Sequence, residues 1–399
     1  MTKLDIPGAF DCDTHCYEPR DAATRYLPEK YLDASLRVVQ SGSGEDVVLA
    51  GNRIATFNSE QGIGFDYAYV PGSLKQLLKE MASGNPNAEY VREPMRPEYL
   101  ERGPRLKVLE EQGVGRCVLF PSAIALSAEG YVDDTEALYA NLHSYNRWFD
   151  ETWGFNYEDR LYATALLSLR DLDSAVTLTD EILGRGAKVV MLPTGPANGR
   201  SPADPYFDPV WSRLNEAGVV IAMHIMPNWY FRAISPAWGQ SPDPAAWHMS
   251  AWQWMNLYGE RPIVDTISSL IFDNLFGRFP RLHALVAEHG ASWVPHTLEH
   301  LDKSRGMGRN GPWIGGQLQE RPSTIFQEHV RVAPYPEDDI PKLVDLLGGD
   351  DRCLVFGSDF PHAEGVTKAS EFEAVMDGMA DDVKHRIMRT NAEDIFDRA

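Results

Sequence analysis

AKVVMLPTGPANGRSPADPYFDPVWSRLNEAGVVIAMHIM, residues 187–226, holds one whole strand–helix–strand unit. AKVVMLP and VVIAMHIM are near-continuous apolar runs rich in β-branched residues. Parallel strands buried on both faces have that pattern. Between them DPVWSRLNEAG has helical spacing and is closed by Gly218. Strand, helix and strand in succession are the repeating unit of a parallel α/β sheet.

The rhythm extends in both directions. Strand-like runs recur at 116–122, 161–169, 282–290, 324–333 and 353–362, and FDCDTHCYEP (10–19) supplies an opening one, which makes eight in all. Helical patterns lie at 134–152, with Asp133 or Asp134 as N-cap, and in DLDSAVTLTDEILGRG, which ends at Gly184 or Gly186. TISSLIFDNLFGRFP and PEDDIPKLVDLLGGD continue the scheme. The alternation predicts an α/β fold, a (β/α)8 TIM barrel in one domain over 1–399. An open doubly wound sheet is the alternative, disfavoured because no Gly-rich dinucleotide turn is present.

Two stretches break the rhythm. Residues 20–115 follow the first strand, and within them EDVVLAGNRIATFN reads as a hairpin turning at Gly51–Asn52. Residues 227–262 follow the fifth strand and contain Trp229, Trp238, Trp247, Trp252 and Trp254. Both insertions leave from strand C-terminal ends, so both are expected over the face where barrel active sites lie. Contact between subunits is the other use for such surfaces.

Composition narrows the function. The chain has 399 residues, 43% of them hydrophobic, enough for a large core. Its 58 acidic and 37 basic residues give a net charge of −21, a surface that repels nucleic acid and anionic lipid. The four cysteines form no C-x-x-C pair, so a reduced, cytoplasmic protein is expected. MTKLDIPGAF lacks the apolar core of a signal peptide, and no run reaches the length of a membrane span.

Ionisable residues gather at the predicted strand ends: Asp13 and His15, His224, Glu288 and His289, Glu328, His329 and Arg331, Asp359 and His362. A barrel brings those ends to one mouth. Side-chain alternation puts Asp11, Asp13 and His15 on one face of the first strand. Burying so many carboxylates and imidazoles together is costly unless a cation holds them. A divalent metal meets that need.

With these residues in place, the chain resembles the amidohydrolase superfamily, in the amidohydrolase 2 branch of aminocarboxymuconate semialdehyde decarboxylase-like enzymes. DCDTHCYEP, DPYFDPVWSRLNEAGVVIAMHI, EHGASWVPHTLEHLDK and LVFGSDFPHAEG carry the resemblance over nearly the full length. It implies one divalent ion, zinc or manganese, held by Asp13, His15, His224 and Asp359. It also implies a catalytic histidine at His289, before Gly290, with Asp359 as a second catalytic group. Many relatives have histidine where this chain has Asp13. The aspartate makes the set richer in oxygen and moves its preference toward manganese.

The resemblance implies a non-oxidative decarboxylase acting on a small aromatic or unsaturated carboxylic acid. A metal-dependent hydrolase of a C–C, amide or ester bond is the alternative, and a metal-free binding protein on the same fold a third. Around the mouth, Trp229 points to an aromatic or apolar substrate. Arg331 either pairs with the substrate carboxylate or with Asp338 or Glu337. Glu18 lines the mouth or caps a turn, and His362 completes the substrate-binding set. Asp11 either orients His15 or accepts hydrogen bonds from backbone. Tyr145, Arg147, Trp148 and Phe149 form a packing or dimer surface, since such enzymes often form homodimers.

Overall fold

The computed structural model describes residues 6–40, 46–55, 65–85, 88–122, 128–226, 228–244 and 249–397. Its centre is a succession of short parallel strands, nearly all buried: β1 (Ala9–His15), β2 (Val114–Phe120), β3 (Leu161–Ala163, resuming as Ala165–Leu166), β4 (Val189–Met191), β5 (Val220–His224), β6 (His283–Ala287) and β7 (Val330–Val332). Each pairs in parallel with the next. Only the step within β3 changes partners, and there the Thr164 amide donates to the Leu119 carbonyl at 3.0 Å.

Residues 353–360 run between the two ends of this series. On one side the Val355 amide donates to Val332 O at 3.0 Å. On the other, the Cys12 amide donates to Phe356 O at 2.8 Å and the His15 amide to Phe360 O at 2.7 Å. Helices pack outside the strands. The helix Asp208–Ala217 buries Val210, Trp211 and Leu214 and stops at Gly218, whose φ of 64° suits glycine. The helix Thr135–Trp153 starts at Asp134, whose carboxylate accepts from the Ala137 amide at 2.9 Å. Each fully buried aliphatic side chain of this layer contributes about 1.5–3 kcal/mol.

One predicted strand is largely helix. Within 324–333 only Val330–Val332 is extended, and Pro322–His329 is helical. Pro322 stands at the first helical turn, where its missing N–H costs nothing. The apolar residues Ile325 and Phe326 face the core from that helix, so a short apolar run misled the strand reading.

In the first insertion, Leu36–Gln40, Asp46–Ala50 and Arg53–Ile54 form an antiparallel meander, and Ala50 pairs with Arg53 across Gly51–Asn52. The tryptophan-rich insertion is a chain of short helices beginning with Trp229–Ile234; Trp247 lies outside the described residues. It has its own small core of Ile225, Tyr230, Phe231, Met249, Leu257 and Tyr258. The two insertions are tied together. Arg53 donates to Asp243 at 2.6 Å, and Asp133 receives Arg232 at 2.5 Å and Arg53 at 3.4 Å. No helix among the described residues is long and apolar enough to cross a membrane.

Candidate active site

Six ionisable side chains converge at the C-terminal ends of the strands. Donor atoms of His15, Glu288, Asp359 and His362 lie within 4.8 Å of one another, as do those of Asp13, His15 and His224. Asp13 and His15 come from β1, His224 ends β5, Glu288 follows β6, and Asp359 and His362 follow the 353–360 segment. Asp13 Oδ1 is 3.4 Å from His15 Nε2 and 3.7 Å from His224 Nε2. Asp359 Oδ1 is 3.4 Å from His15 Nε2 and 2.8 Å from His362 Nδ1. Glu288 Oε2 is 2.9 Å from His224 Nε2.

The hydrogen bonds fix which nitrogens face inward. His15 Nδ1 lies 2.9 Å from Pro121 O, and His224 Nδ1 lies 2.8 Å from Ile225 O. A carbonyl only accepts, so each Nδ1 carries a proton and each Nε2 faces inward. Those two Nε2 atoms are 3.1 Å apart. Asp13 Oδ1 and Asp359 Oδ1 are buried and make no hydrogen bond of proper geometry among the described residues. Inward imidazole nitrogens and buried carboxylates in two groups that share His15 fit a cation. A divalent ion matches this donor set.

The protonation states express the same need. Burial pushes the Asp13 carboxyl up to about 7, with Glu288 and Asp11 adding to the rise. Burial likewise carries Asp359 well above the carboxylate range and His15 well below the imidazole range. Burial also pulls at His224, but the Glu288 carboxylate outweighs it and raises the ring to about 9. Asp359 does the same for His362, to about 10.

Backbone geometry aims these groups. Glu288 and Asp359 have φ of 55° and 56°, left-handed values that cost about 1–3 kcal/mol for residues with a side chain. Tyr335 Oη donates to Glu288 O at 2.8 Å, and Asp338 Oδ2 accepts from the Ala291 amide at 2.8 Å and the Tyr335 amide at 3.0 Å. These contacts hold the turn Glu288–His289–Gly290. A Cβ on Gly290 would lie 2.6 Å from the Tyr335 ring. At Gly357 a Cβ would lie 2.8 Å from that of Asp13, so glycine lets the 353–360 segment close on β1.

Other candidates fall differently. Asp11 does not reach His15. Its Oδ1 accepts from the Asp13 amide at 3.1 Å and the Ser358 amide at 2.9 Å, beside a register shift in β1 between Asp11 and Thr14. Glu18 is buried and accepts from Tyr145 Oη at 3.0 Å. His289 is buried next to the cluster, and neither ring nitrogen makes a hydrogen bond of proper geometry among the described residues. Burial, then the nearby His224, pushes it down to about 3, so its ring is neutral. His362 belongs to the cluster itself, with Nε2 3.1 Å from Ser122 Oγ.

Two expectations are corrected. Arg331 is not at the mouth. It sits within β7 opposite Leu285, and its guanidinium is buried, donating to Asn391 O at 3.0 Å, Gln327 O at 3.1 Å and Val330 O at 3.1 Å. Because residues 322–329 are helical, Glu328 and His329 are not at a strand end either, and His329 Nδ1 instead meets Leu282 O at 2.8 Å. Trp229 is half-exposed and lines a cavity on the other side of β5. Glu288 is the participant that the resemblance did not single out. Its signal was present in the sequence, a carboxylate at a strand end beside His289–Gly290.

The sequence matches the amidohydrolase family over residues 10–398. Among solved structures, the amidohydrolase map2389c of Mycobacterium avium subsp. paratuberculosis K-10 is 31% identical, with 99% of this chain and 100% of that one covered and a TM-score of 0.83. A manganese-bound 5-carboxyvanillate decarboxylase of Novosphingobium aromaticivorans DSM 12444 is 16% identical, with 98% and 97% covered and a TM-score of 0.63. The 2,6-dihydroxybenzoate decarboxylase of Rhizobium is also 16% identical, with 98% and 99% covered and a TM-score of 0.58. At that identity the two decarboxylases share the fold with this chain. No curated protein matches. The chain belongs to the amidohydrolase family.

Proposed function

For this member of the amidohydrolase family, we propose a metal-dependent, non-oxidative decarboxylase of a small aromatic carboxylic acid. In this reading the parallel strands close as a (β/α)8 barrel whose mouth holds one divalent ion. The observation that carries it is the convergence of two inward Nε2 atoms with the buried carboxylates of Asp13 and Asp359. Asp13, His15, His224 and Asp359 would hold the ion, with Glu288 grouped beside His15 and Asp359. The carboxylates favour manganese over zinc. Bound there, the ion would supply Lewis acidity toward the substrate carboxylate.

The chain's own residues then move the proton. His289, buried beside the cluster, would relay a solvent-derived proton to the ring carbon that bears the carboxylate. The bond from that carbon to the carboxylate breaks, its electron pair stays on the ring, and carbon dioxide leaves. Net, one proton replaces one carbon dioxide.

Hydrolysis is the second reading. The relative at 31% identity is described only as an amidohydrolase, and Asp359 presents a buried oxygen suited to a general base. The test has two parts. Elemental analysis of the purified protein should give about one equivalent of divalent metal. Hydroxylated benzoates should then release carbon dioxide. Failure to retain any metal after incubation with excess manganese would overturn both readings. Metal retention with turnover of amides or esters, and no carbon dioxide from any acid, would leave the hydrolase.

A further inference from the structure

A cavity of about 310 Å³ lies behind β5, on the side away from the metal cluster. Side chains alternate along β5: His224 points to the cluster, and Ile221 and Met223 line the cavity. The outer helices close it with Trp211 and Leu270, and Thr194 and Trp229 complete its wall near the strand ends. Space between a sheet and its helices is normally close-packed. This void is about twice the ~150 Å³ cavity that takes up benzene, and it reaches the lower size of ligand pockets.

Its chemistry defines an occupant. The wall is mostly apolar and holds two indoles. The Thr194 hydroxyl is buried and has no hydrogen-bond partner among the described residues. The charged groups at the rim are already balanced. Arg170 donates to Val132 O at 2.6 Å, Glu129 O at 2.7 Å and the Glu129 carboxylate at 3.2 Å, and Arg232 is paired with Asp133. Among the described residues of the rim, no unspent charge awaits an ionic ligand. Trp229 is half-exposed and marks the way in.

We propose that this cavity is a second small-molecule site, separate from the metal cluster, which takes an uncharged aromatic compound with one hydrogen-bonding group placed against Thr194. The site does not depend on the metal reading.

The experiment titrates the full-length protein with p-cresol and with toluene by calorimetry. The two differ by one hydroxyl. The expected result is one saturable site for each, with p-cresol about fivefold tighter, the worth of one neutral hydrogen bond. Thr194→Val should erase that preference while toluene still binds. Leu270→Trp should fill the cavity and abolish both, and Asp359→Asn should leave both unchanged. Absence of saturable binding by either probe would overturn the site. So would binding that survives Leu270→Trp but disappears in Asp359→Asn, because the probe would then occupy the metal cluster. If Leu270→Trp does not fold, the Thr194→Val preference decides alone, and an unchanged fivefold ratio overturns the assignment.

Discussion

Buried polar groups occupy two levels of the same strands, and they are treated in opposite ways. Around β7, Nε and Nη1 of Arg331 donate to backbone carbonyls, and Asn391, whose carbonyl accepts from Nε, donates in turn to Asp351 O at 2.8 Å and Leu354 O at 2.9 Å. At the strand ends, Asp13 keeps a buried oxygen without a hydrogen bond among the described residues, and two imidazole Nε2 atoms face each other at 3.1 Å. Arg331 stands opposite Leu285, three residues before Glu288, so roughly 10 Å separates the two levels along β6. A satisfied buried network specifies structure; an unsatisfied, convergent one is a site held ready. Burial alone does not distinguish them, since Arg331 and Asp13 are both nearly inaccessible. What distinguishes them is whether each donor and acceptor has been spent.

The contrast predicts that the two levels fail in different ways. The largest effect belongs to Asp359→Asn, which should abolish turnover and metal retention while the protein stays folded. It removes a desolvated carboxyl but also the partner of His362 Nδ1 at 2.8 Å, so the metal-free variant should melt within a few degrees of the metal-free wild type. Manganese should raise the melting temperature of the wild type and not of the variant. A variant that lost its fold instead would place Asp359 with the structural network. Next comes Arg331→Met, which strands several buried carbonyls and should cost about 1–3 kcal/mol in denaturant unfolding, with turnover per folded molecule preserved. Unchanged stability with a raised KM would restore the substrate role that the sequence suggested for Arg331.

How legible each level was in the sequence follows from the same physics. Asp13, His15, His224 and Asp359 could be named because strand-end position and residue type are both written in the chain, and parallel strands gather their ends. The α/β order was legible for a similar reason: apolar runs and glycine stops alternate along it. The helix at Pro322–His329 was not, because eight residues with a few apolar members have no decisive period. Arg331 was misread for the same cause, since its level depended on where that strand began. Asp11 looked equivalent to Asp13 by alternation, but the register shift between Asp11 and Thr14 lies below what a sequence pattern records. Glu288 was visible as a strand-end carboxylate, yet its place in the cluster depends on a left-handed φ that only the folded turn reveals.

That turn gives a sharper test of the upper level. Gly290→Ala adds a Cβ 2.6 Å from the Tyr335 ring at a φ of 61°, which both overpacks and strains the segment carrying Glu288 and His289. Turnover should fall by about 10²-fold, because displacement of about 1 Å is enough for that. Stability should drop by only about 1–3 kcal/mol. If turnover and stability fell in proportion across a denaturant series, the turn would be scaffold and not a positioning element.

The smallest effect concerns the insertions, where the distinction between spent and unspent groups is weakest. Arg53 joins Asp243 and Asp133, and Asp133 also receives Arg232, so one small network spans the first insertion and the tryptophan-rich one. Asp133 is 60% exposed on its side chain and Arg53 26%, which leaves the pairs open to water and salt. Exposed pairs of this kind contribute about 0–1 kcal/mol. Arg53→Ala should therefore leave the melting temperature nearly unchanged. Its effect should appear in how the two segments sit over the strand ends, as a change in KM of about twofold to fivefold that shrinks at high salt, where the wild-type pairs are themselves screened. A loss of stability above about 2 kcal/mol would mean that these surface pairs belong with the Arg331 network as structure.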